Sequence, residues 1–546
     1  MTYFTPVECL IKNNKLHPNK VFLHQPVNRQ WQQFTWADVE HQARCIANGL
    51  KEQGFVQGDS IGILSKNCAQ WFIADMAIMM AGMICVPIYA TADRNTISYI
   101  IKHADLKALF VGKLDNVSEA EGGLDDIFRI AFPYPTTSAQ AKFSEWLTTY
   151  SPLDKIHQPL IDDVATIVYT SGSTGEPKGV VLTHKNFASV AQTLATSFKM
   201  TKEDRAISYL PLAHIVERSN AYVAMNVGME VYFVESLDTF LDDLHMAKPT
   251  IFISVPRLWT IFQSNVLAKM SQKKLDFLLK LPLISRLVGY EIRKALGIHH
   301  AKYFISGTAP IALPLLNWYE KLGVQIIEGW GMTETSGASC MSFPFTKQGL
   351  GSIGQPLACV NMKLSNVGEI LINGDAVFQE YYLDPETTQD SFIDGWFRTG
   401  DSAELNADGE YKIIGRIKDK FKTSKGKYVT PVPIESLLSA NTDIEQVCVV
   451  GIGLKQPIGL IVLTDIVDKK LTEVTDRLKL TLLTVNAKLE SHQKLDYLLI
   501  CDESWSISNA LLTPSMKIKR NKIEDKYNEL IARGHSGDVL FEKDLM

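Results

Sequence analysis

The run Tyr169-Thr170-Ser171-Gly172-Ser173-Thr174-Gly175-Glu176-Pro177-Lys178-Gly179 packs hydroxyls, glycines and one lysine between the β-rich ATIVYT (165–170) and the strand-like VVLTH (180–184). Glycines let a backbone turn tightly and expose bare N–H groups, and hydroxyls with a lysine add donors around an anion. Polyphosphate is the ligand that such a loop fits. It is not a Walker A loop, because Lys178 lies between Pro177 and Gly179 rather than in Gly-Lys-Ser/Thr. A Ser/Gly-rich surface turn would account for any one of these residues, but a turn gains nothing from the whole set placed behind a buried strand.

The first ~400 residues alternate in character. Short β-rich runs, SIGILS (60–65), ALFVG (108–112), VYFVES (231–236) and TIFISV (250–255), alternate with amphipathic stretches such as WADVEHQARCIANGLKEQG. That alternation predicts α/β layering. The longest uncharged run, between Asp75 and Asp93, is too short for a membrane-spanning helix and contains Pro87. It reads as a buried helix entering a buried strand. Beyond about residue 365 short strands and turns take over, followed by a compact α+β tail. The expected division is 1–415 and 416–546, at Gly415-Arg416-Ile417-Lys418, where a glycine turn meets solvated charge.

The 546 residues exceed one ordinary core, and a net charge of -5 argues against a nucleic-acid binder. The eight cysteines form no CxxC pair, so a reducing, cytoplasmic setting is expected. The first residues lack the basic-then-apolar layout of a signal peptide.

YTSGSTGEPKGVVLTH resembles the phosphate-loop signature of the AMP-forming adenylating superfamily, which includes acyl-CoA synthetases, peptide-synthetase adenylation domains and luciferases. In the family's order follow LPLAHIVER (210–218), SGTAP (306–310), GWGMTETS (329–336), GEILING (368–374), WFRTGD (396–401), GRIKDKFKTSKGKYVTP (415–431) and LTPSMKIKR (512–520). The resemblance implies a large N-terminal α/β adenylating domain of several subdomains and a small mobile C-terminal α+β domain. It also implies ATP, Mg2+ and coenzyme A. Thr170, Ser171, Gly172, Ser173, Thr174, Gly175 and Lys178 would hold phosphates, and Ser306, Gly307 and Thr308 would pass along adenine. In Gly329-Trp330-Gly331-Met332-Thr333-Glu334, Trp330 would stack on adenine where relatives more often have Tyr. Thr333 would contact the α-phosphate, and Glu334 would hold Mg2+.

By the same resemblance Asp401 and Arg416 would bind ribose, His214 would lie beside the acyl carboxylate, and Lys517 would bridge that carboxylate and the α-phosphate. Lys418 would be a hinge about which the small domain turns after adenylation, bringing in Lys422 for thioester formation. Alone, the Lys517, Lys519 and Arg520 run would read as solvated charge, a single histidine as structural, and Gly-Asp as an ordinary turn.

FKTSKGKYVTPVPIE, VPRLW, SGTAPI and LTPSMKIKR look most like long-chain fatty acid–CoA ligases. The expected reaction is ATP-dependent conversion of a fatty acid to acyl-AMP, then transfer to coenzyme A. A fatty acyl-AMP ligase loading an acyl carrier protein, a ligase for medium-chain or other acids, and a silent binding protein stand as alternatives. Residues 266–302, Val266 to Lys302, carry eight Lys or Arg against two acidic residues among apolar ones. They read either as a peripheral contact with the inner face of a membrane or as a helical cap over the acyl tunnel. Glu380, where relatives usually have Gly before Tyr381, is a departure that predicts a remodelled loop.

Overall fold

The computed structural model describes residues 3–124, 126–170, 176–464, 472–513, 517–533 and 537–545. The uncharged run becomes the helix Ala69–Met80, buried at every position, and then the strand Ile84–Ile88. A helix apolar all round can only be internal, and a strand without alternation suits the middle of a parallel sheet. Ile84–Ile88 is central in an eight-stranded sheet whose order is Glu380–Tyr381, Lys178–Thr183, Val164–Thr170, Ile84–Ile88, Ser60–Leu64, Leu106–Val111, Phe128–Ala131 and Ala141–Lys142. From Val164–Thr170 to Ala141–Lys142 neighbours run parallel; the strands on the other side are antiparallel.

A second sheet joins Arg205–Ser208, Glu230–Phe233, Val21–Val27 and Gln30–Thr35. A third has Ile251–Ser254, Tyr303–Ser306 and Ile326–Trp330 in parallel, extended by Cys340–Met341 and Gln355–Pro356. A fourth, antiparallel sheet contains Glu369–Gly374, Trp396–Leu405 and Tyr411–Arg416. The small C-terminal unit is a four-stranded sheet, Ile444–Val450, Ile458–Leu463, Leu498–Ile500 and Val539–Phe541, with separate apolar clusters around Ile461 and around Leu460. Adjacent residues of one strand feed different clusters because successive side chains point to opposite faces. The fold is therefore α/β with a smaller α+β unit. All eight cysteines are free and buried. Among the described residues, no helix is long and apolar enough to cross a membrane.

Candidate active site

Carboxyl ends of parallel strands build the site, as open α/β sheets favour. Tyr303–Ser306 and Ile326–Trp330 pair so that Ser306 stands opposite Glu328, and the segments that continue past them carry Gly307, Thr308, Gly331 and Thr333. Gly331 has no alternative here, since a Cβ would lie 2.2 Å from the Gly337 carbonyl oxygen. Gly307, Thr308, Gly329, Gly331, Met332 and Thr333 line a cavity. His214 and Lys517 line it too. Its remaining wall is largely apolar, with Phe72, Leu194, Phe198, Val231, Phe233 and Ile251.

Lys517 comes from the small unit. A tight turn presents it, with the Thr513 N–H donating to the Lys517 carbonyl at 2.8 Å and the Lys517 N–H to Thr513 Oγ1 at 3.1 Å. The side chain is open to solvent at the mouth yet enclosed by protein around it. Desolvation, with Arg416 adding repulsion, lowers its pKa, against the opposing pull of Asp401 and Glu334. His214 caps the helix Ile215–Val227, its Nδ1 accepting the Val216 N–H at 3.2 Å. Burial, and secondarily Lys517, push its pKa down to about 4. The neutral ring must then carry its proton on Nε2, the nitrogen left to face a ligand.

Asp401 is 7% exposed and engaged at both oxygens. Arg416 Nε lies 2.8 Å from Oδ1, and Trp330 Nε1 donates to Oδ2 at 2.9 Å. Burial raises the Asp401 pKa, with Arg416 the main opposing influence. Strand register produces the pair, because Asp401 and Arg416 are direct antiparallel neighbours. Each carboxylate oxygen still has a lone pair for another donor.

Glu334, 9% exposed, accepts the Tyr381 hydroxyl on Oε1 at 2.9 Å. Lys178 Nζ stands 5.2 Å from the Tyr381 ring centroid. Tyr381 thus ties the start of the strand Lys178–Thr183 to the carboxylate. Thr170 pairs with Lys178 across the hairpin, and Ser171, Gly172, Ser173, Thr174 and Gly175 lie outside the described residues. Among the described residues no cluster of three or more His, Cys, Asp or Glu forms. A lone hard carboxylate fits Mg2+, which keeps its waters and takes phosphate oxygens beside one or two carboxylates.

Lys418 and Lys422 do not line the cavity. Both are exposed, and Lys422 Nζ is 5.8 Å from the Tyr428 ring in the hairpin Phe421–Lys422/Tyr428–Val429. Ser306 lies under the site with its hydroxyl buried and without a partner among the described residues. Residues 266–302 are not among the residues that line this cavity. The helices of this segment pack onto a separate aromatic cluster around Trp259 and Tyr319. Glu380 joins a short strand against Val181, its side chain exposed.

Two site residues escaped the sequence reading. Tyr381 has only its place beside Glu380 to mark it. Glu217 was visible inside LPLAHIVER, one helical turn past His214. It lines the cavity at 5% exposure, takes side-chain hydrogen bonds from Ser208 and Asn220, and is pushed by burial up to about 8.

A family model described as "AMP-binding enzyme" matches residues 10–382, and one described as "AMP-binding enzyme C-terminal domain" matches residues 418–537. The chain is 30% identical to a fatty acyl-CoA synthetase A of Dictyostelium discoideum, over 90% of this chain and 84% of that one. It is 30% identical to long chain acyl-CoA synthetase 1 of Arabidopsis thaliana, over 82% and 76%. Against human long-chain-fatty-acid–CoA ligase 1 the identity is 27%, over 92% and 82%. In fold the chain is similar to an anthranilate CoA ligase crystallised with anthranoyl-AMP, at a TM-score of 0.81 and 22% identity, covering 97% of this chain and 98% of that one.

Proposed function

This chain belongs to the AMP-binding enzyme family, and we propose that it joins a long-chain fatty acid to coenzyme A through an acyl-adenylate, consuming ATP and releasing AMP and pyrophosphate. One observation carries the reading: His214, Thr333 and Lys517 line the same largely apolar cavity. An alkyl chain fits the apolar wall, and its carboxylate is met by the His214 ring and by Lys517, the one cation among the described lining residues.

A carboxylate oxygen of the fatty acid attacks the α-phosphorus, forming a C–O–P bond as the bond to the β-phosphate breaks and pyrophosphate leaves. Lys517, held in the cavity mouth, places one positive charge where both anions meet, which lowers their repulsion and stabilises charge on the transferring group. His214 donates from Nε2 to the carboxylate, holding it in line. Asp401, already fixed by Trp330 and Arg416, accepts the ribose hydroxyls. Trp330 packs against adenine. Glu334, oriented by Tyr381, would hold Mg2+, which when bound would neutralise phosphate charge.

Thioester formation needs different side chains at the same carbon. The coenzyme A sulfur attacks the acyl carbonyl, the C–O bond to AMP breaks, and the thiol proton leaves to solvent. Lys517 occupies the mouth in the arrangement described, and Lys422 stands outside it. A turn of residues 416–546 about Lys418 exchanges the two faces, a gating motion suited to a two-step reaction.

Purified protein given ATP, Mg2+ and palmitate should release pyrophosphate, and with coenzyme A should yield palmitoyl-CoA and AMP in equal amounts. Formation of ADP and phosphate would overturn the adenylation reading. Pyrophosphate release with short aromatic acids but no fatty acid would overturn the choice of substrate.

A further inference from the structure

Residues 256–295 form three consecutive helices, Pro256–Lys269, Gln272–Leu279 and Pro282–Ala295. The first is anchored by buried Trp259 and Phe262, but the other two hold on by little: Leu275 in one, Gly289 and Ile292 in the other. Gly289 lets the last helix lie directly on the chain beneath, since a Cβ there would stand 2.8 Å from the Leu322 carbonyl oxygen. The inner edge of this helix pair is accounted for. The outer face is not.

That outer face is apolar. Leu283 is 86% exposed, Phe277 63%, Leu287 61%, Tyr290 42% and Ile284 41%. Leu283, Leu287 and Tyr290 are spaced i, i+4, i+7, so they stand in one row along the helix. Single exposed apolar residues are normal, whereas a contiguous set marks an interaction surface. The cations around it are exposed as well: Lys273, Lys274, Lys280, Arg286 and Lys294. Among the described residues none of these five enters an ion pair, and of the two acidic residues Asp276 is already taken by Lys321 at 3.7 Å. Positive charge thus rings a row of leucines and aromatics, and the cavity lies elsewhere in the fold.

We propose that the helices Gln272–Leu279 and Pro282–Ala295 dock on an anionic lipid bilayer, with Phe277, Leu283, Leu287 and Tyr290 entering the acyl boundary and the five cations meeting lipid phosphates. The inference rests on the reading that the substrate is a fatty acid only for its purpose; the surface itself stands on its own chemistry. Charge complementarity selects a bilayer over an apolar protein groove, because unpaired lysines beside an apolar row match a headgroup layer above hydrocarbon. Each Lys or Arg near such a surface is worth roughly five-fold in affinity.

The test is co-sedimentation of the full chain with vesicles of equimolar phosphatidylcholine and phosphatidylglycerol, beside vesicles of phosphatidylcholine alone. Wild type should bind the anionic vesicles and lose most of that binding at high salt. Leu283→Asp/Leu287→Asp should weaken it about ten-fold or more, as two buried leucines imply. Lys273→Glu/Lys274→Glu should remove the preference for anionic lipid. Both pairs are solvent-exposed, and at Lys273, Lys274 and Leu283 an acidic residue in the first turn suits a helix start, so unchanged thermal melts are expected.

Pyrophosphate exchange with water-soluble octanoate should be unchanged in both variants, while acyl-CoA formation from vesicle-borne palmitate should fall with vesicle binding. Failure of wild type to exchange with either octanoate or palmitate would count against the enzymatic reading and leave the vesicle result to stand by itself. Leucine variants that bind vesicles like wild type would overturn the docking proposal. So would variants that shift a dimer to a monomer in sedimentation velocity with vesicle binding intact, which would assign the face to a second copy.

Discussion

Glu217→Gln should make stability less sensitive to pH, by an amount that its surroundings set. Glu217 sits in the cavity wall with Ser208 and Asn220 as hydrogen-bond partners and Tyr209 nearby. Among the described residues it has no ion pair. Ser208 Oγ already accepts Asn67 Nδ2 at 2.9 Å, so its own proton is free to donate to Glu217. Desolvation outweighs these hydrogen bonds and carries the pKa from 4.5 to about 8. At about 1.4 kcal/mol per unit, that distance corresponds to roughly 5 kcal/mol of differential stability.

The sign follows from proton counting. Between the ordinary carboxylate range and about 8 the folded chain holds a proton that the unfolded chain has released, so stability falls as pH rises. Below that window both states are protonated and the group contributes nothing. Gln is close in shape to the neutral acid and does not titrate. The stability of Glu217→Gln relative to wild type should therefore climb by roughly 1.4 kcal/mol per pH unit across the window and then level off. Glu328, also pushed up to about 8 by burial, is present in both proteins and cancels. Urea midpoints of the large-domain transition, measured for the two proteins at matched pH values, give the difference. A gap that stays constant from about pH 5 to 8 would show that Glu217 is ionised in the fold and that water or a cation reaches it.

Lys517→Ala should slow pyrophosphate exchange by about a hundred-fold or more while thioester formation from supplied acyl-adenylate survives; equal loss of both steps would remove Lys517 from adenylation. Tyr381→Phe deletes the 2.9 Å donor to Glu334 and should raise the Mg2+ needed for half-maximal exchange by about ten-fold. An unchanged Mg2+ titration would sever Tyr381 from the metal site. Lys418→Pro fixes φ and removes an N–H, so exchange should persist while acyl-CoA formation stops; both activities near wild type would place the joint elsewhere.

What was legible in the sequence was whatever a short window encodes. The apolar run 76–92 announced a buried helix and strand because no charge interrupts it, and the motif frames carried Lys517, Asp401 and Glu334 to one place because each has a fixed local wording. Long-range pairing has no such wording. Tyr381 reaches Glu334 only because Glu380–Tyr381 adds itself to the edge of a sheet begun some 300 residues earlier at Ser60. Two neighbouring strands could have been guessed, but not which remote pair would close an edge. The acyl wall is harder still, since Phe72, Leu194, Val231 and Ile251 come from four elements and each alone reads as ordinary core. Residues 266–302 show the same limit from the other side. Their lysines and leucines were plain, yet amphipathic spacing says that one face is apolar without saying which face meets the protein. Burial of Leu275, Gly289 and Ile292 decides it, turning Leu283 and Leu287 outward. Glu217 makes the point most directly. Its spacing from His214 was in view throughout, but a helix start favours an acidic residue on electrostatic grounds alone, so only enclosure by the cavity separates a capping carboxylate from a protonated one.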